Sequence, residues 1–283
     1  MTIIAAFGMG RVGGEATYTS AITGFADELV LYDLNKELLH AQKLDIQHAF
    51  DIAVSTDPKD FKDADYCIFT AGYSRSPSVK TRTDLLDKNL PIAKECAEIL
   101  KGFSGKLIVV TNPMDILTWY FANHTSLDKN QVVGFGGILD SKRFNLALEN
   151  MGIQETSIVL GEHGENQVPI FSTLLVDVPE TIREEVLLGL RGSSMPIIKG
   201  KGGTVFGPGY HISQMLENIE LGRKMIYSLP ADGAYGIDGC SIGLPATVTM
   251  NGSKIDESLR LDDWEQAKLH AAAHFLQNFC RRI

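Results

Sequence analysis

Residues 159–169 read VLGEHGENQVP and set one imidazole, His163, between two carboxylates, Glu162 and Glu165, with turn-forming glycines at 161 and 164. The apolar run TSIVL leads into this stretch. Imidazole gains and loses a proton near neutral pH, so a histidine at a strand end can be a packed core group, a metal ligand or a proton carrier. The local sequence leaves all three open. A second stretch, AAFGMGRVGGEA, carries Gly8, Gly10 and Gly13 in the order GxGxxG, after one predicted strand and at the start of a predicted helix. The first glycine permits a tight turn, the second lets a pyrophosphate reach the backbone, and the third allows helix and strand to touch. The helix start adds free N–H groups and the positive end of a dipole. Asp33 closes the next apolar run, LVLYD. A carboxylate there accepts hydrogen bonds from both ribose hydroxyls and repels a 2′-phosphate, which predicts NAD as cofactor.

These residues need a scaffold. The runs TIIAAFG, ELVLYD, DYCIFTAG, KLIVVTN and QVVGFGG alternate with helix-like segments such as 34–50 and 83–102, the second holding a proline, Pro91, expected to kink or divide it. Near-continuous apolar strands, each followed by a helix, predict a parallel sheet covered on both faces. The second half has a different rhythm. TSIVLGEHG and PIFSTLLVDVP read as strands and GYHISQMLENIELGRKMIYS as a helix. ATVTMNGSKI reads as a strand ending in an Asn-Gly turn, and DDWEQAKLHAAAHFLQNFC as a terminal helix. The predicted class is α/β: an N-terminal Rossmann doubly wound parallel sheet over 1–140, followed by an α+β substrate domain over 141–283, with no flexible linker between them.

The 283 residues are 44% hydrophobic and 22% charged, values of a packed globular protein, with a formal net charge of −9. That balance argues against nucleic acid and anionic membrane as partners, since both call for a basic face. A small anion would need a locally basic pocket. The four cysteines are scattered without a CxxC pair, and the chain opens MTIIAAFGMG with no basic leader, so a reducing cytoplasm is expected. His270 and His274 lie four apart in HAAAH, but the glutamate of a HExxH zinc signature is missing. The HGE of 163–165 brings no ligand cluster either, and no metal is expected.

FGMGRVGG, TAGYSRSPSVKTRTDLL, VVTNPMDILT, LDSKRFN and GEHG occur along the chain in the order found in lactate and malate dehydrogenases, which the sequence resembles over essentially its whole length. KGGTVFGP and DGAYGIDGCSIGLPATV look like that family's second domain. The resemblance implies hydride transfer between NAD and an L-2-hydroxy acid in a cleft between the two domains. It implies that His163 is the proton carrier and Asp140 the partner that fixes its tautomer. Arg143, one helical turn beyond Asp140, resembles the arginine that forks onto the substrate carboxylate. Asn112 matches a residue that bonds near the substrate oxygen and the nicotinamide, and Thr204 falls at a matching position in KGGT. Cofactor contacts are implied for Gly8, Gly10, Arg11, Val12, Gly13, Asp33, Thr70, Ala71, Gly72, Asn89 and Asn112.

Within the loop SRSPSVKTR, Arg82 resembles the lid arginine that polarises the substrate carbonyl. Arg75, three residues after Gly72, stands at the family's specificity position, where arginine goes with malate dehydrogenases and glutamine with lactate dehydrogenases. The loop departs from the usual malate form PRKPGMTR by one extra residue and a missing glycine, and Lys80 could share either arginine's role. L-malate and oxaloacetate are therefore the expected pair, with L-lactate or another L-2-hydroxy acid as the alternative and a non-catalytic NAD-binding sensor or scaffold behind both. An NAD-dependent glycosidase on a related fold would need a metal site near the sugar. The resemblance also implies a homodimer or homotetramer, with residues 34–50 as the intersubunit helix.

Overall fold

The computed structural model describes residues 1–74, 81 and 83–283; Arg75, Lys80 and Arg82 lie outside them. Six strands form the first half: β1 (Ile3–Phe7), β2 (Glu28–Tyr32), β3 (Ala53–Ser55), β4 (Tyr66–Phe69), β5 (Lys106–Val109) and β6 (Val132–Gly134). They alternate with helices α1 (Arg11–Ile22), α2 (Lys36–Ala49), α3 (Leu86–Ile99) and α4 (Met114–His124). All six run parallel in the order β3-β2-β1-β4-β5-β6, with Ala5 of β1 level with Val30 of β2 and Cys67 of β4. This is the doubly wound arrangement, and its chain reversal at β1 opens a crevice at the carboxyl ends of the strands. Strands β4, β5 and β6 are buried along their full length, which is why they read as unbroken apolar runs.

The second half adds α5 (Gly137–Asn150), β7 (Val159–Gly161), β8 (Gln167–Pro169), α6 (Glu180–Gly192), α7 (Met195–Lys201) and α8 (Phe206–Glu220). It closes with β9 (Lys224–Pro230), β10 (Ser241–Thr249), β11 (Gly252–Ile255) and α9 (Asp263–Cys280). Its strands pair antiparallel and continue the same sheet, β6-β9-β10-β7-β8, through one register pair, Gly134 with Ser228. The hydrophobic core does not respect the two halves. Phe7, Phe69 and Phe121 pack in one cluster with Leu244 and Leu276, and Ile4 and Ile68 in another with Leu216 and Val248. Each such side chain contributes about 2 kcal/mol of burial free energy, so neither half buries its apolar faces without the other. The expected boundary at residue 140 falls in the first turn of α5.

Several expectations are corrected. Helix α3 runs through Pro91 undivided; the missing amide forfeits one helical bond, and Ala93, Cys96 and Ala97 stay packed in the core. The segment 209–228 is not one helix. Helix α8 stops at Glu220, Gly222 takes the left-handed φ of +59°, and Lys224–Pro230 is a strand. PIFSTLLVDVP is not a strand beyond Pro169. The Ile170 amide still donates to the Ile158 carbonyl, but the groups after it go to side chains: the Glu265 carboxylate accepts the Phe171 and Ser172 amides at 2.7 and 2.8 Å, and the Ser157 hydroxyl donates to the Ile170 carbonyl. Strand β3 and helices α6 and α7 have no counterpart in the patterns read from sequence; β3 is three residues long and only partly covered.

Glu265 is fully buried and also accepts from the Ser172 hydroxyl at 2.7 Å and from the Asp262 amide in the capping box that starts α9. Replacing it strands several buried donors. Glu265→Ala is expected to lower unfolding stability by about 3 kcal/mol, and Glu265→Gln, which keeps a carbonyl acceptor, by about 1 kcal/mol. Urea unfolding, read as a lowered midpoint at unchanged slope, checks both values.

Candidate active site

A cleft of about 470 Å³ opens at the carboxyl ends of the parallel strands. Gly10 and Val12 follow β1, Thr70 and Gly72 follow β4, Asn112 follows β5 and Phe135 follows β6, all lining it. The opposite wall comes from the second half: His163, Ser194, Ile198, Thr204 and Pro208. The cleft thus lies where a doubly wound sheet binds ligands.

The glycine loop divides its work as the motif implies. A Cβ at Gly13 would lie 1.9 Å from the Gly8 carbonyl oxygen, so only glycine lets α1 approach β1 this closely. A Cβ at Gly10 would meet nothing within 4 Å: the direction is open, and Gly10 caps α1 with no side-chain bond to its first amides. That open approach to free N–H groups fits a pyrophosphate. Asp33 is held at the end of β2 by the Met9 amide on Oδ2 (2.7 Å) and the Asn35 amide on Oδ1 (2.8 Å), so this carboxylate is tied to the loop itself. The Arg11 guanidinium reaches across to the second half; a Cβ at Gly202, just after α7, would lie 2.4 Å from its Nη1.

Not every implied cofactor contact faces the cleft. Gly10, Arg11, Val12, Thr70, Gly72 and Asn112 line it, whereas Gly8, Gly13, Asp33, Ala71 and Asn89 are not among its lining residues. The Ala71 amide is spent on the Phe7 carbonyl. Asn89 braces the loop behind it. It is fully buried; its Oδ1 accepts the Tyr73 amide at 2.8 Å, and its Nδ2 donates to the carbonyls of Tyr73 (3.1 Å) and Asn112 (2.6 Å). Both hydrogens of that amide are used within the protein. Asn112 turns the other way: its Oδ1 is buried with no hydrogen-bond partner among the described residues, on a residue lining the cleft.

His163 stands on the turn between β7 and β8, and distant segments meet at its ring. Its Nδ1 lies 2.6 Å from Oδ2 of Asp140, a carboxylate only 1% exposed. The other oxygen of Asp140 accepts from Nη1 of Arg143 at 3.1 Å, from one turn further along α5. With Nδ1 facing the Asp140 carboxylate, Nε2 is the ring nitrogen on the side away from it. Glu162 serves the turn itself, accepting the amides of Glu165 (3.1 Å) and Asn166 (2.9 Å).

Two neighbours of His163 escaped the sequence reading. A Cβ at Gly136 would lie 2.6 Å from the ring's Cγ, so glycine lets the chain pass flat behind the imidazole; the glycines of GFGG are the signal that could have shown it. Asp115 accepts the His163 backbone amide at 2.7 Å and the Ser228 hydroxyl at 2.6 Å. Burial pushes the Asp115 carboxyl up to about 7; those two bonds oppose the rise, and the nearby Glu162 and Asp140 charges add to it. Elsewhere, His270 bonds the Tyr235 carbonyl, and among the described residues no group of three or more His, Cys, Asp or Glu is arranged to hold a metal ion. No helix among them is long and apolar enough to cross a membrane.

A doubly wound nucleotide fold whose crevice joins a histidine–carboxylate pair defines a dehydrogenase-like class, and comparison with known proteins narrows it. Residues 2–134 match the lactate/malate dehydrogenase NAD-binding domain, and residues 138–282 the lactate/malate dehydrogenase alpha/beta C-terminal domain. The chain belongs to the lactate/malate dehydrogenase family, an NAD-dependent family of 2-hydroxy-acid oxidoreductases. An L-lactate dehydrogenase of Geobacillus sp. is 31% identical over 100% of this chain and 97% of its own. A malate dehydrogenase of Natronomonas pharaonis is 32% identical over 95% of each. The malate dehydrogenase of Archaeoglobus fulgidus, solved in complex with NADH, superposes with a TM-score of 0.88 at 30% identity, covering 99% of both chains. NAD is the cofactor, and the residues around Gly10 and Asp33 would hold it.

The open direction at Gly10 gives a direct check. Gly10→Ala is expected to leave stability within about 0.5 kcal/mol, because nothing stands where the methyl would go. NADH affinity is expected to fall at least about tenfold, because the methyl occupies the pyrophosphate's approach to the backbone. Calorimetric titration with NADH beside a thermal melt separates the two effects.

Proposed function

We propose that this chain is an NAD-dependent L-malate dehydrogenase, interconverting L-malate and oxaloacetate. The observation that carries the reading is the cleft wall on which His163, braced by Asp140 and flanked by Arg143, faces the glycine cradle across Asn112. Bound NAD supplies the acceptor for hydride from the substrate carbon. His163 takes the hydroxyl proton on Nε2, and the Asp140 carboxylate, 2.6 Å from Nδ1, stabilises the resulting imidazolium. A guanidinium carries five donors, which lets Arg143 keep Asp140 while forking onto the substrate's carboxylate. Asn112, with its buried Oδ1 on the cleft wall, orients the oxygen that loses its proton or the nicotinamide amide beside it. The apolar wall of Val12, Val110, Phe135, Leu139 and Ile198 keeps water from the reacting atoms.

Malate is preferred over lactate on the strength of Arg75, a cation at the specificity position for a second carboxylate, with Arg82 as the lid arginine. Both lie outside the described residues. A homodimer or homotetramer in the cytoplasm completes the proposal. Helix α2, which buries only Leu39 and Ile46, is proposed as the intersubunit helix.

NADH oxidation with oxaloacetate and with pyruvate, run in parallel, tests the substrate. A preference for oxaloacetate of at least about a hundredfold in kcat/KM is expected from a dedicated second-carboxylate contact; preference for pyruvate overturns malate and leaves lactate. His163→Ala is expected to cost about a thousandfold in kcat with NADH affinity nearly intact. Equal loss of both would make His163 structural.

A further inference from the structure

Asp115 is 2% exposed, and its two oxygens accept from different elements. It lies in the first turn of α4, three residues after Asn112. Oδ2 accepts the backbone amide of His163 at 2.7 Å, and Oδ1 accepts the hydroxyl of Ser228 at 2.6 Å. Ser228 is 1% exposed and is the residue through which β9 pairs with Gly134 of β6, where the two halves of the sheet join. We propose that Asp115 is a positioning residue: its carboxyl clamps the His163 backbone to the helix that follows Asn112, and so sets the separation of the two groups that flank the reacting oxygen.

The physical argument is one of shortest path. Asn112 belongs to the first half and His163 to the second, and the covalent chain between them runs through all of α4, β6 and α5. Through Asp115 the path is three residues and one hydrogen bond. The imidazole is then fixed from three sides: its backbone by Asp115, its Nδ1 by Asp140, and its face by Gly136. Without the clamp the His163 amide loses its acceptor, and a misplacement of about 1 Å at a reacting group costs on the order of a hundredfold in rate. Clamping requires an acceptor and not a charge, in keeping with a carboxyl pushed up to about 7 by burial. An asparagine can reproduce it, its carbonyl accepting from His163 while its amide donates to Ser228.

The kinetic consequence rests on the dehydrogenase reading, so the test carries a readout that does not. In Asp115→Ala, kcat is expected to fall about a hundredfold while the Kd for NADH stays within twofold, and Asp115→Asn is expected to recover kcat to within about fivefold of the unsubstituted enzyme. Backbone amide exchange over the 161–166 segment, followed by mass spectrometry on the NADH-bound protein, is expected to speed up in Asp115→Ala and return in Asp115→Asn. A folded Asp115→Ala with kcat within threefold, an Asp115→Asn no better than alanine, or unchanged exchange overturns the proposal. If Asp115→Ala does not fold, Ser228→Ala removes half of the clamp and is expected to lower kcat several-fold at constant NADH affinity; unchanged kcat overturns it there. If the unsubstituted protein turns over neither oxaloacetate nor pyruvate, the dehydrogenase reading fails, and the exchange result decides the clamp by itself.

Discussion

A carboxylate sealed from water is the constraint around which the rest of the site is arranged. Asp140 is 1% exposed, and an unpaired charge there would cost several kcal/mol. Its oxygens are answered by two groups of different chemistry, the His163 imidazole and the Arg143 guanidinium. Arg143 comes at no topological expense, one turn along the same helix. His163 requires the β7–β8 turn to be brought against α5, and that turn is shaped by a second buried carboxylate, Glu162, which gathers the amides of Glu165 and Asn166. A third, Asp115, reaches the same turn from the other half of the molecule. Three buried acids around one imidazole are tolerable only because each is matched to particular donors.

The same economy appears in the sheet. One register pair, Gly134 with Ser228, joins a parallel half to an antiparallel half, and two core clusters run beneath both. A crevice between halves that share their core is held open at a set width, with the glycine cradle on one side and the imidazole on the other. The likeness to both malate and lactate dehydrogenases is a likeness of this scaffold and cradle.

Much of this was legible in residue order. The glycine motif, Asp33 and the apolar strands of the first half declare themselves because their causes are local: a turn that only glycine permits, and runs apolar enough to be covered on both sides. The pairing of Asp140 with His163, 23 positions apart, was reachable only through resemblance to relatives. Where local pattern misled, a long-range partner had intervened. PIFSTLLVDVP has the composition of a strand, but Glu265, 94 positions from Phe171, takes its amides instead. KMIYS continues a helical pattern, but Gly222 halts the helix and the sheet claims the segment.

The sequence by itself determined the class of fold, the dinucleotide cradle and the residue types available for proton transfer, because each depends on neighbours within a turn or a strand. The tertiary structure alone decided which of those residues face the cleft. Asn89 and Asp115 are polar residues in helices, indistinguishable in sequence from surface groups, until burial sets each to hold the backbone of a distant loop. Gly136 is one glycine among many until an imidazole lies against it. Those roles arise from packing and the satisfaction of buried polar groups, which are properties of the folded chain and not of its order.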